Sequence, residues 1–160
     1  MNTRIYVASS WRNKFQPDWV KALRENGFEV YDFREPEPGD NGFHWSDIDI
    51  DWKNWTPQKY LNGLEHPIAC VGFENDINAL KDCDFCVLIL PCGRSAHLEA
   101  GYAIGAGKKV AIMLSEDIEP ELMYKMANVF YDETALVNWL IAEAELVEAG
   151  SLEPEKGVEK

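Results

Sequence analysis

Between Phe85 and Met113 the chain reads FCVLILPCGRSAHLEAGYAIGAGKKVAIM, and few folds accommodate that order of residues. Phe85 to Leu90 is an unbroken apolar run, which suits a strand covered on both faces better than one with a wet side. Pro91, Gly93 and Ser95 break the run. From Ala96, the small and apolar residues Ala100, Ala103, Ile104 and Gly107 recur at helical spacing, with Gly105 and Gly107 as end signals. Lys109 to Leu114 then reads as a second buried strand. The unit is strand, helix, strand, and the pattern puts Glu99 in the first turn of the helix, beside the end of the first strand. In an open parallel sheet that crevice is where ligands bind.

The flanking sequence extends the same alternation. Arg4 to Ala8 is a short apolar strand, and Ser9 to Asn13 forms the turn after it. Pro17 opens a helix whose apolar face is Trp19, Val20 and Leu23, closed at Asn26-Gly27. Phe28 to Phe33 is rich in strand formers. Ile68 to Cys83 reads as a helix with Phe73, Ile77 and Leu80 on one face and Asp76 on or near it. A loop from Ser115 to Met126, a strand at Val129 to Tyr131 and a helix from Glu133 to Glu148 complete the pattern. The expected fold is α/β: a flavodoxin- or Rossmann-like three-layer sandwich with a five-stranded parallel sheet in the order 2-1-3-4-5. Residues 1–149 form one domain, and the polar, aperiodic stretch 150–160 is expected to be disordered.

Arg34 to Pro67 breaks the alternation. It holds Pro36, Pro38, Gly39 and Gly42, then His44, Trp45, Asp47, Asp49, Asp51, Trp52 and Trp55, and only Thr56 to Leu64 looks helical, with Thr56 as cap and Pro57 at its first position. A connection of this length is usually functional or mobile. The tryptophans suit either a stacking surface for a flat ring, with Trp52 as the representative residue, or plain packing over a core. Asp47, Asp49 and Asp51 lack the Gly and distal Glu of a calcium loop, which favours a solvated acidic loop, and no metal site is expected.

Charge narrows the partners. With 28 acidic and 15 basic side chains the net charge is −13, which argues against a nucleic-acid polymer. One local cation and a helix start can still hold a single phosphate. The opening MNTRIYVASS has neither a secretory signal pattern nor an apolar run long enough to span a bilayer, so a soluble, cytoplasmic protein without a membrane partner is expected. Cys83 and Cys86 form a CxxC with no second pair or His set to complete a zinc site, and Cys70 and Cys92 stand apart. All four are expected to be reduced thiols.

The topology predicts that three segments meet: the Ser9 to Asn13 turn, the Pro91 to Glu99 turn, and the start of the third strand near Asp84. Glu99 reads either as an ordinary helix-start acid or as a functional carboxylate kept ionised by the helix dipole, and its place at the crevice among small residues favours function. Ser10 and Arg12 read either as surface residues or as a phosphate contact. His97 points roughly away from Glu99, which favours a surface or capping role. Cys92 has no evident His partner and lacks the spacing of a phosphatase loop.

The strand end IYVAS, the strand DCDFCVLILP with its leading carboxylate, and the Gly-Arg-Ser turn running into HLEAGYAIGAGKKV resemble the nucleoside 2-deoxyribosyltransferase family, including its nucleotide N-hydrolase branch. The resemblance spans residues 4 to 114, and its most specific part is Glu99 to Val110. It implies that Glu99 is the nucleophile at the anomeric carbon, that Asp84 helps protonate the leaving base, and that Tyr6 lies beside Glu99. It implies a 5′-phosphate contact at Ser10 and Arg12, with Gly93 and Ser95 on the substrate side of the next turn. Gly93 stands where family transferases commonly carry an Asp that grips the sugar hydroxyl. The Trp-rich loop has no residue-by-residue counterpart in the family.

The function expected from this is cleavage of the N-glycosidic bond of a nucleoside or nucleoside 5′-monophosphate through a covalent glycosyl-enzyme, without cofactor, and with hydrolysis favoured over base exchange. The rivals are NAD glycohydrolysis on a similar scaffold and a non-catalytic nucleotide sensor. The resemblance also implies a homo-oligomer, with the 123–128 loop near the interface.

Overall fold

The computed structural model describes residues 2–116 and 119–151. Asp117, in the loop after the fourth strand, lies outside the described residues; of the stretch 150–160 expected to be disordered, 150–151 instead end the last helix, and 152–160 lie outside the described residues. The element order is β1 (Arg4–Ala8), α1 (Gln16–Glu25), β2 (Glu29–Tyr31), α2 (Pro57–Leu64), α3 (Pro67–Asp82), β3 (Phe85–Ile89), α4 (Arg94–Gly105), β4 (Lys109–Met113), β5 (Asn128–Phe130) and α5 (Glu133–Ser151). The strands form one parallel sheet in the order β2-β1-β3-β4-β5, as the alternation predicts. Single-turn helices at Trp45–Asp47, Trp52–Asn54 and Leu122–Met126 punctuate the connections.

β3 is the centre of the sheet, and every one of its residues is buried. Its odd-numbered side chains Phe85, Val87 and Ile89 join Ile5 and Val7 under Trp19, Val20 and Leu23 of α1 and Leu136, Leu140 and Ala144 of α5. Its even-numbered side chains Cys86 and Leu88 join Tyr6 and Ala8 under Leu80 of α3 and Ala96, Ala100 and Ala103 of α4. Each large apolar side chain so buried contributes about 1.5–3 kcal/mol, which is why β3 carries no charge. All four cysteines are free.

Three strands are shorter than their sequence suggests, β4 by the one residue Leu114. β2 stops at Tyr31 because Asp32 turns the chain: its Oδ1 accepts from the backbone N–H of Arg34 at 3.0 Å and from Gln16 Nε2 at 2.8 Å. β3 stops at Ile89, before the cis Leu90–Pro91 bond. At this end the turn after β1 is clasped to β3. Ser9 Oγ donates to the Ile89 carbonyl at 2.9 Å, and the buried Asn13 amide donates to the same carbonyl at 3.1 Å. Arg34 reaches across from the end of β2 and donates through one nitrogen to the carbonyls of Ser10, Trp11 and Asn13.

The acidic, Trp-rich segment packs largely on itself. Trp45 lies edge-on to Phe43, Trp55 and Tyr60. Asp49 accepts from Trp55 Nε1 at 2.6 Å and from the Asp51 backbone at 2.9 Å, and the Asp51 carboxylate accepts from Asn54. Thr56 caps α2 by accepting from the Lys59 N–H at 3.3 Å. Among the described residues no group of His, Cys, Asp and Glu is placed to hold a metal ion, and no helix is long and apolar enough to cross a membrane.

Candidate active site

α4 begins at Arg94, two residues before the first position its apolar spacing suggests, because Gly93 supplies an extended cap. Glu99 is therefore in the second turn and not the first, where the macrodipole has largely faded. Its environment corrects the expectation of a dipole-stabilised anion. Ala96, Ala100 and Ala103 bring the helix close to the sheet, and Glu99 is left half-buried between α4 and α3. Burial, and then the neighbouring Asp76 carboxylate, push its pKa up to about 7, against a smaller lowering by Tyr6.

Tyr6 sits on β1 facing α4 and is 0 % exposed. Its hydroxyl is buried with no hydrogen bond of ordinary geometry: it lies near enough to Glu99 to lower that carboxyl's pKa, yet outside the alignment of a formed bond. A buried hydroxyl left this way is an incomplete contact that a bound group or a small shift of Glu99 would complete. Burial, and then Glu99, keep Tyr6 protonated far above neutrality.

The partners of this pair were missed in the sequence. Tyr31, the last residue of β2, stacks on Tyr6 with ring centroids 5.4 Å apart and planes at 16°. Its hydroxyl donates to Asp76 Oδ1 at 2.8 Å. Asp76, on α3, is half-buried, and burial raises its pKa to about 6 against the lowering effect of the Tyr31 bond. Two carboxyls, both displaced toward neutrality by burial, with Asp76 adding to the reluctance of Glu99 to ionise, thus meet between α3 and α4. That is the arrangement in which one group holds a proton while the other is an anion.

Asp76 also lines a cleft of about 330 Å³ between α3 and the 33–43 segment. Its walls are Phe33, Phe43, Ile68 and Val71, and its other polar residues include Asp40 and Asn75. Two glycines shape it. Gly42 has φ +68°, and a Cβ there would fall 2.2 Å from the Phe33 carbonyl. A Cβ on Gly72 would fall 2.8 Å from Phe43 Cβ, so the bare helix surface lets the Phe43 ring lie against α3.

The expected residues are brought together only in part. Glu99 and Tyr6 are neighbours. Asp84 is not with them: a parallel sheet puts strand starts and strand ends at opposite edges, and Asp84 lies at the start of β3. There its carboxylate accepts from the Arg4 N–H at 2.8 Å, and its own N–H donates to the Arg4 carbonyl at 2.8 Å, so it clasps β1 to β3. Ser10 and Arg12 lie in the turn after β1, where Ser10 Oγ accepts from the Arg12 N–H at 3.2 Å and the Arg12 side chain is exposed. Gly93 and Ser95 are exposed at the cap and in the first turn of α4. Trp52 is half-buried on its single-turn helix, with Lys53 Nζ 5.7 Å from its ring, and it does not line the cleft. The aromatic rings that do are Phe33 and Phe43.

His97 caps and braces, as its spacing suggests. A carbonyl only accepts, so His97 donates from Nδ1 to the Gly93 oxygen at 2.9 Å and accepts at Nε2 from the Tyr124 hydroxyl at 2.8 Å. Cys92 lies 3.5 Å from the same Nδ1, so it does have a His neighbour, but burial raises its pKa to about 11 and leaves it a thiol.

No family model matches the chain, and no curated protein matches it. Among solved structures it is similar to the 2-deoxyribosyltransferase of the psychrotolerant bacterium Bacillus psychrosaccharolyticus, at 21% identity over 85% of this chain and 91% of that one, with a TM-score of 0.59. It is also similar to the CMP N-glycosidase BcmB of Clostridium botulinum, at 21% identity over 88% and 99% of the two chains, with a TM-score of 0.49. The first likeness is one of fold, and the fold of this chain is that of a 2-deoxyribosyltransferase.

Proposed function

We propose that this protein is an enzyme that cleaves the N-glycosidic bond of a nucleoside or nucleoside 5′-monophosphate, with Glu99 as nucleophile. The observation that carries this reading is that Glu99 neighbours Asp76, both with raised pKa values, and that Asp76 also lines a largely apolar cleft. The fold it shares with a 2-deoxyribosyltransferase supports the same class of reaction. With the base in the cleft, the Glu99 carboxylate attacks the anomeric carbon as the carbon–nitrogen bond breaks. The bonding pair passes to the base nitrogen, and Asp76 supplies the proton that neutralises it, from the form of the pair whose one proton is on Asp76; because Asp76 has the lower pKa, this is the minor of the two singly protonated forms. Asp76 takes the acid role that the sequence assigns to Asp84, because only Asp76 faces both the cleft and Glu99.

A glycosyl ester on Glu99 results. Water then attacks the anomeric carbon, Asp76 accepts its proton, and Glu99 leaves as the carboxylate, so the proton inventory of the pair is restored. The Tyr6 hydroxyl orients Glu99 for attack. Hydrolysis is favoured over transfer to a second base because position 93 is Gly, which offers no side chain to hold the sugar, and because Ser10 and Arg12 suit a 5′-phosphate. The exposed side chains of Leu122, Met123, Met126 and Val129 beside edge strand β5 suit pairing with a second copy, which light scattering would detect as a species larger than one chain.

Chromatography of free base after incubation with a panel of nucleosides, monophosphates and NAD tests the reading. Base release lost in Glu99→Ala is the expected result. Release that persists in that variant, or no release from any substrate, removes it, and nicotinamide release from NAD alone redirects it to NAD glycohydrolysis.

A further inference from the structure

We infer that the cleft between α3 and the 33–43 segment is a base site selective for nucleobases that carry an exocyclic amino group next to a ring nitrogen, as cytosine and adenine do. This deepens the function proposed above and rests on it. None of the residues lining the cleft is cationic, so it does not take the phosphate. Phe33 and Phe43 offer ring faces for a flat heterocycle, and Ile68 and Val71, both on the outer side of α3, are left exposed along it.

The polar edge is asymmetric. Asp40 accepts from the Gly42 N–H at 2.9 Å through Oδ1, which pins the carboxylate to the turn and leaves Oδ2 to accept from a ligand. A carboxylate has no donor to offer. The Asn75 side chain makes no hydrogen bond among the described residues and carries both a donor and an acceptor. An amino group beside a ring nitrogen presents a donor next to an acceptor, which a fixed carboxylate and a free amide complement. Uracil and hypoxanthine present a carbonyl oxygen where the amino group stands, and that oxygen meets the Asp40 carboxylate lone pair against lone pair. Asn75 can rotate its amide to either pattern, whereas Asp40 cannot, so the discrimination belongs to Asp40.

The cleft is also sterically fixed. Gly72 lets Phe43 rest on α3, and Trp45 buttresses Phe43 edge-on at 4.8 Å. Asp76 lines the same cleft, so a base whose amino edge meets Asp40 remains within reach of the acid that protonates it.

The test compares calorimetric binding of cytidine against uridine monophosphate, and of adenosine against inosine monophosphate, in ribose and 2-deoxyribose series, using Glu99→Gln to prevent turnover. The amino-bearing member of each pair is expected to bind at least about tenfold more tightly, as a hydrogen bond to a charged group requires. Adding Asp40→Asn, which keeps the acceptor for Gly42, is expected to reduce that ratio to near unity. Gly72→Ala, which displaces Phe43, is expected to weaken both members alike and leave the ratio unchanged. Equal binding within the pairs, a preference that survives Asp40→Asn, or no binding of any of the four overturns the inference. Amino-selective binding with no base release by the unmodified protein upholds the site and removes the N-glycosidase reading, and base release without selectivity does the reverse.

Discussion

The two faces of the sheet are built from alternate side chains of the same strands, yet they differ in kind. Under α1 and α5 the layer is closed and apolar, filled by large side chains such as Trp19, Leu23, Leu136 and Leu140. Under α3 and α4 the helices meet the sheet through Ala96, Ala100 and Ala103, and the space this leaves holds Tyr6, Tyr31, Asp76 and Glu99. The first face stabilises the fold. The second gives up part of that stabilisation to keep two carboxyls away from water, which leaves both reluctant to ionise near neutral pH.

Substitutions on the two faces are therefore expected to separate activity from stability. The largest effect expected is on base release by Glu99→Gln, a loss on the order of 10³-fold or more in kcat/KM measured by chromatography. On the opposite face, Leu140→Ala is expected to lower unfolding free energy by about 2–5 kcal/mol in a urea titration, with base release per folded molecule unchanged. Asp76→Asn is expected to slow cleavage by about 10²-fold for ordinary bases, and by less for a leaving group that needs no proton.

A subtler contrast lies in thermal stability. Glu99 titrates at about 7 in the folded protein, above its ordinary value of 4.5, so the folded state holds this proton more firmly than the unfolded chain. The contribution is present in full below the unfolded value and is lost as pH rises through about 7. Glu99→Gln removes the loss, so the variant is expected to match the parent near pH 4 and to exceed it by roughly 1–3 kcal/mol near pH 8. A melting series across that range checks it, and a variant less stable at both ends would mean that Glu99 supports this face and does not strain it.

The smallest expected effect is that of Tyr31→Phe. In the proposed mechanism activity needs one proton shared between Glu99 and Asp76, which places the limbs of a bell-shaped profile on either side of a window between about 6 and about 7. Removing the Tyr31 bond, which lowers the pKa of Asp76, is expected to move the acid limb upward. An unmoved limb would separate Tyr31 from the acid.

The scaffold was legible because its signals are local. Unbroken apolar runs, a Pro in the first turn and a Gly after the last are read within a few residues, and together they imply the strand order. Glu99 and Tyr6 were legible through the resemblance and through position on the crevice. Asp76 was not, although the helix that carries it was: it stands among Glu74, Asn75 and Asn78, and nothing in that spacing marks one acid over its neighbours. Its role comes from Tyr31, 45 positions away. Asp84 misled because a carboxylate at a strand start looks alike whether it faces a ligand or clasps a neighbouring backbone, and only the sheet's polarity separates the two. Burial decided Glu99's protonation against the dipole because the helix began earlier than its apolar pattern.

The clasp of Arg4 to Asp84 joins residues 80 positions apart, as does that of Ser9 to Ile89. β1 cannot meet its central partner until about half of the chain has left the ribosome, and everything from α1 to α3 is a loop closed by that one pairing. Closing a flexible loop twice as long costs only about 0.6 kcal/mol more. The 33–43 wall of the cleft lies inside this closed segment, so descendants of this chain can lengthen, shorten or rewrite the wall with little penalty to the sheet that holds Glu99.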